Sequence, residues 1–231
     1  MYQSTTISQA ELRDRTLLQQ VYAWMAGGLG VTGLVALWAY DSGFLETVLL
    51  QNSGIMFGLI FAELAVVIGL SWTIRRMSVG IATAAFLAYA VLNGLTLSVI
   101  FLAYTAGSIA STFFVTAATF GAMSIYGYTT KRDLTKMGSL LIMALIGFLL
   151  ASVVNIFLHS TVLYWIVTYI GVAIFIGLTA YDTQKLKRLS ATIDGRDTST
   201  FRKMVILGAL TLYLDFVNLF LLLLRIMGRR R

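Results

Sequence analysis

The chain has no cysteine, no proline and a single histidine, His159, in 231 residues. Without cysteine there is no disulfide framework, no thiolate nucleophile and no zinc–thiolate centre. One histidine rules out a His-rich metal site. Without proline, any helix bend must come from glycine, from serine or threonine, or from a bulge. Charge is scarce too. Charged residues make up 12% of the chain, against about 25% in soluble domains. Apolar residues take their place at 58%, above the roughly 45–50% of a soluble domain. One soluble core cannot hide that much apolar surface, so the expected solvent is a membrane. The net charge of +7 does not point to nucleic acid, because the basic residues are scattered between apolar runs. There they act as topology signals.

A hydrocarbon layer of roughly 30 Å needs about 20 apolar residues per helix. Seven runs qualify: 21–40, 54–74, 79–104, 108–128, 138–158, 162–182 and 204–227. The sequence therefore predicts an all-α polytopic membrane protein. Its organisation reads as a polar N-terminal segment (1–20), one seven-helix membrane domain (21–228) and a basic tail (229–231). The mixed-charge start "MYQSTTISQAELRDRTLLQQ" lacks a basic n-region and a small-residue cleavage site, so the first run is expected to stay as a signal anchor. The connection "YTAGSIAS" is short, which makes the third and fourth runs antiparallel neighbours. Small residues such as those of "AWMAGGLGVTGL" let membrane helices pack closely.

Lysine and arginine alternate sharply between the connections. Arg75 and Arg76 follow the second run; Lys131, Arg132 and Lys136 follow the fourth; Lys185, Lys187, Arg188, Arg196, Arg202 and Lys203 follow the sixth. The other connections hold only Asp41, Glu46 and His159. This pattern places the N-terminus and the basic connections in the cytoplasm. The end of the chain disagrees. Seven crossings leave it outside, yet it carries Arg225, Arg229, Arg230 and Arg231. Either the seventh helix stops short of crossing, or the earlier loops dominate; a full but short crossing is the preferred reading.

Asp215 stands inside "ALTLYLDFVNLFLLLLRI". An aspartate at mid-membrane costs about 2.5–3.5 kcal/mol on insertion scales, so it should face protein and have a partner. Asn218 shares its face, three residues on. Asp182 of "GLTAYDTQKLK" is the leading partner, since the sixth and seventh runs are consecutive and antiparallel. They meet only if the seventh helix begins in the cytosol, which the polar "STFRKMVILG" permits. Two carboxylates held together at low dielectric cannot both ionise cheaply, so such a pair shares a proton and acts as a pH switch. The plainer alternatives stay open. Asp182 with "DTQ" can be an exposed helix end, Asp215 a structural hydrogen-bonder, and Arg75 and Arg76 ordinary topology anchors. Glu63 in "IFAELAVV" faces a polar crevice or another helix. Asn93, Thr96 and Ser98 are expected to make interhelical hydrogen bonds, and His159 is read as a loop residue.

"GLTAYDTQKLK" followed by "GALTLYLDFVNLFLLLLRI", with "YGYTTKRDL" and "LNGLTLS", resembles the signature segments of the Bax inhibitor-1, or transmembrane Bax inhibitor motif, family in its bacterial inner-membrane branch. The resemblance runs from about Gln19 to Met227. It implies seven helices with the seventh enclosed by the other six, and a di-aspartyl pH sensor carried by Asp182 and Asp215. It implies a pH-sensitive calcium leak moved by the second helix, whose terminal arginine latches the pair. The ungapped reading puts Ile74 at the latch position with Arg75 next, and the latch is carried to Arg75. Glu63 and Asn218 are expected along the ion pathway. The expected partners are lipid, calcium ions and protons, with no resident cofactor or metal. The competing reading is a non-transporting regulator that binds other membrane proteins, such as a membrane protease. An intramembrane aspartyl protease needs Gly-x-Gly-Asp where this chain has "LYLD", and no Gly-x-Ser-Gly segment serves a rhomboid-type serine protease. No enzyme activity is expected.

Overall fold

Inside hydrocarbon every backbone polar group must be satisfied within its own segment, and a helix does this. The computed structural model describes residues 9–74, 76–192 and 197–231, and Arg75 lies outside them. In chain order the helices are α1 (Gln9–Asp41), α2 (Ser53–Thr73), α3 (Val79–Leu97), the short α4 (Ile100–Ala103), α5 (Ala106–Thr129), α6 (Thr135–Leu158), α7 (Thr161–Thr192) and α8 (Thr198–Met227). A π-helical turn, Leu45–Leu49, follows α1. Seven stretches are long and apolar enough to span a membrane, one for each expected run, with α3 and α4 together forming the third. Lipid-facing side chains such as Trp72, Phe114 and Phe157 are more than two-thirds exposed, as a membrane requires.

The chain groups into two compact units. One takes the described residues up to Thr96 together with those of Lys185–Leu210; the other takes Leu97–Gln184 with Thr211–Arg231. In the first, Gly94 of α3 lies against the Thr32 carbonyl and Val35 of α1. The Thr32 hydroxyl donates to the Ala90 carbonyl at 2.9 Å. In the second, Ile174, Phe175 and Leu178 of α7 pack with Leu219 and Leu222 of α8, flanked by Leu141 and Phe148 of α6. Phe113 and Phe120 of α5 meet Phe216 of α8 edge-on, at ring separations of 5.4 and 5.5 Å.

Two helices differ from the expected runs, and the differences matter. α7 continues ten residues past 182, and α8 begins six residues before 204. At about 1.5 Å per residue, α7 is roughly 48 Å long and overshoots a hydrocarbon layer of about 30 Å. The extension is not an idle polar tail, since Leu186 and Ser190 within it are buried. Asp197 starts α8 as its cap, accepting from the Thr200 amide at 2.9 Å. α8 is the most buried span: 72% of its apolar window lies inside the protein, against 33% or less for each other span. An all-round apolar helix of this kind belongs in a core.

α8 is 30 residues long and apolar enough to span a membrane. Beyond it the chain is pinned to the connection between α4 and α5. The Thr105 amide donates to the Arg229 carbonyl at 3.0 Å, and the Arg231 amide to the Ala103 carbonyl at 3.2 Å. The arginine-rich end therefore lies at the end of the second unit opposite the Lys131–Lys136 connection.

Two outcomes are expected. A Cβ at Gly127 would run into the Ala180 backbone, whereas one at Gly30 meets nothing within 4 Å. Gly127→Ala should cost about 1–3 kcal/mol of overpacking and lower the melting temperature in detergent by roughly 2–12 °C; Gly30→Ala should leave it unchanged. The Thr200 hydroxyl, and then its amide, hold the Asp197 carboxyl below its ordinary value. A lowered value means that the cap is complete above the ordinary Asp range, about 3.9, and is lost as pH falls through the lowered one. Asp197→Ala should speed amide exchange at Thr200 at neutral pH, measured by hydrogen–deuterium exchange, while Asp197→Ser should not.

Candidate functional site

Asp182 lies four residues after Leu178 on α7, and Asp215 four residues before Leu219 on α8. Leu178 and Leu219 belong to one buried cluster. On antiparallel helices, one turn onward from that cluster brings the two carboxyls together. Both are buried, at 8% and 5% exposure, and they hydrogen-bond to each other. The exposed "DTQ" alternative is thereby replaced: Asp182, Thr183 and Gln184 are all buried.

Three residues beside Asp182, namely Ala180, Tyr181 and Gln184, are fixed by neighbours within the same unit. Ala180 lies backbone-close to Gly127 of α5, and the Tyr181 ring covers Gly138 of α6. Gln184 ties down the connection before α6: its Oε1 accepts from the Leu134 amide at 2.9 Å, and its Nε2 donates to the Arg132 carbonyl at 2.8 Å. Asp215 is held on one side only. Its Oδ2 is buried and meets no donor among the described residues. A cationic or hydroxylic donor could bind there. Arg75, expected in that role, lies outside the described residues. Asn218 does not reach toward the pair through its amide group, which donates to the Leu214 carbonyl of its own helix at 2.8 Å.

Glu63 belongs to a second cluster, in the first unit. Asn93 Nδ2 donates to its Oε2 at 3.3 Å, and the Thr96 hydroxyl donates to its Oε1. The carboxylate is half-buried between α2 and α3. Tyr89, one turn before Asn93, is close enough to feel its charge. Asn93 and Thr96 thus make the interhelical bonds expected of them, to a partner that the sequence reading had treated separately. The short connection between α2 and α3 was the available signal. Calcium takes six to eight oxygens, and neither cluster offers that number. Among the described residues no three of His, Cys, Asp and Glu lie together.

Other features escaped the sequence reading or carry no chemistry. The buried face of α5 runs Thr112, Thr116, Phe120, Ser124 and Gly127, and the Thr112 and Ser124 hydroxyls meet no partner among the described residues. Their spacing of four was visible in the sequence. His159 terminates α6 in the left-handed conformation, with φ 50°, and its Nδ1 lies 3.1 Å from the Phe157 carbonyl.

The sequence profile of the family described as "Inhibitor of apoptosis-promoting Bax1" matches residues 14–231. The chain is 58% identical to the Escherichia coli "Inner membrane protein YbhL" over 228 residues, covering 99% of this chain and 97% of that one. It is 42% identical to an uncharacterised protein of Borreliella burgdorferi, covering 100% and 99% of the two chains. It is 35% identical to an uncharacterised membrane protein of Streptococcus pyogenes, covering 96% of each. The fold, the two aspartate segments and these matches have one reading: the chain is a membrane protein of the Bax inhibitor family.

Proposed function

We propose that this protein is a pH-sensitive calcium leak channel in which Asp182 and Asp215 hold the closed packing by sharing a proton. The hydrogen bond between the two buried carboxyls carries this reading. Losing the shared proton leaves two negative charges at hydrogen-bond distance in a medium of low dielectric, where like charges repel strongly. α7 cannot yield locally, because Ala180, Tyr181 and Gln184 are each braced. The strain of deprotonation therefore falls on the packing of α7 against α8. In this reading Glu63 and Asn218 line the ion pathway. Neither an enzyme activity nor a resident cofactor is part of it; the partners are lipid, calcium and protons. The YbhL name supports placement in a bacterial inner membrane, and the Lys/Arg alternation supports a cytoplasmic N-terminus.

The test is calcium entry into dye-loaded proteoliposomes. Wild-type flux should rise by on the order of tenfold between about pH 5 and about pH 8, as loss of the shared proton sets the two carboxylates against each other. Asp182→Asn and Asp215→Asn should flatten that profile, with folding checked by melting temperature. Flux equal to that of empty liposomes at every pH would falsify the channel and leave the regulator of other membrane proteins as the surviving reading. Glu63→Gln keeps hydrogen-bonding oxygen and nitrogen at the same place. It should leave the melting temperature unchanged and lower calcium flux by roughly tenfold, through loss of cation attraction; unchanged flux removes Glu63 from the pathway.

A further inference from the structure

The positive-inside rule disfavours arginine at the non-cytoplasmic end of a membrane protein. In this chain Arg225 and Arg230 sit together at the end of the second unit opposite the Lys131–Lys136 connection. Both side chains are exposed, and among the described residues neither has a carboxylate partner. They open onto a cavity of about 720 Å³ that has no acidic residue in its wall. Something anionic is needed to balance that charge.

The wall specifies the anion. Arg225 stacks over the Tyr164 ring, its guanidinium carbon 5.4 Å from the ring centre, which holds the fork in one orientation. α7 begins in the wall. Ser160 caps it by accepting from the Leu163 amide at 3.3 Å, while the Thr161 amide, in the first turn, meets no acceptor among the described residues. A 32-residue helix thus presents the positive end of its dipole, a free amide and the Thr161 hydroxyl beside two guanidinium groups. This combination suits a phosphate. The remaining wall suits a lipid. Ile156 and Ile226 give one side of the cavity an apolar edge. Trp165, also in the wall, stacks on Tyr169 at 5.9 Å, and both rings are exposed, forming the aromatic belt found at headgroup depth.

We propose that this cavity binds the phosphodiester headgroup of an anionic phospholipid in the non-cytoplasmic leaflet, with Arg225, Arg230 and the start of α7 holding the phosphate and the isoleucine edge receiving the acyl chains. The site is separate from the Asp182–Asp215 pair and does not depend on its function.

The experiment is native mass spectrometry of the full chain in detergent, titrated with phosphatidylglycerol, with phosphatidylcholine, and with inorganic phosphate alone. Wild type should prefer phosphatidylglycerol by about tenfold to thirtyfold, as expected for two arginines facing an anionic lipid. Arg225→Gln with Arg230→Gln should remove the preference. Arg229→Gln with Arg231→Gln takes the same charge from the same tail without touching the cavity wall, and should retain it. Equal binding of the two lipids by wild type overturns the proposal, as does loss of preference in the tail control. Phosphate bound by wild type and lost in the cavity variant, without lipid preference, makes the site one for free phosphate and overturns the lipid assignment. If the double variant melts low, Arg230→Gln alone gives the readout: a loss of about threefold to fivefold is expected, and no change overturns the site.

Discussion

Two carboxyl groups hydrogen-bonded in an apolar interior set the terms for the structure around them. A lone aspartate among these helices would be costly; hydrogen-bonded to a second, it becomes a link between helices. The link has a strict geometric requirement, because hydrogen bonds fail beyond a few tenths of an ångström. The neighbourhood of Asp182 meets that requirement with small residues and one amide. Gly127 lets α5 come within backbone contact at Ala180, Gly138 makes room for the Tyr181 ring, and Gln184 fastens the adjoining connection at both ends of its side chain. Ala180, Tyr181 and Gln184 are thus each fixed, and the carboxyl between them has one place to be.

The contrast with Glu63 is instructive. That carboxylate takes its hydrogen bonds from neutral donors, Asn93 and Thr96, and stays half-buried. One membrane protein thus contains two solutions for an acid in a helix: neutral donors at a half-buried seam, and a second acid in the interior.

Much of this was legible in the sequence. Seven apolar runs of spanning length announced seven helices, because the bilayer sets a length that no soluble core demands. The Asp182–Asp215 pairing followed from consecutive antiparallel helices once α8 was allowed to start early, and it does. The ends of α7 and α8 were less legible, since beyond the hydrocarbon the apolar signal stops while the helix, carrying Leu186 inward, continues. The contact of Glu63 with Asn93 and Thr96 was hidden for a different reason: helix rotation about its axis decides it, and an apolar run with little periodicity conceals that rotation. The arginines at the end of the chain conflict with the Lys/Arg alternation, and backbone bonds with Ala103 and Thr105 hold them at the end away from the Lys131–Lys136 connection.

The burial of α8 bears on how the protein is made. The seventh span emerges last from the ribosome, yet it is the most interior of all. Six helices must therefore reach the bilayer while their most buried partner is still being synthesised. Through that interval Asp182 has no Asp215 to bond, and the side chains destined to face α8 face lipid or each other. A nascent chain stalled before α8 differs from the finished one by an acid that has not met its partner.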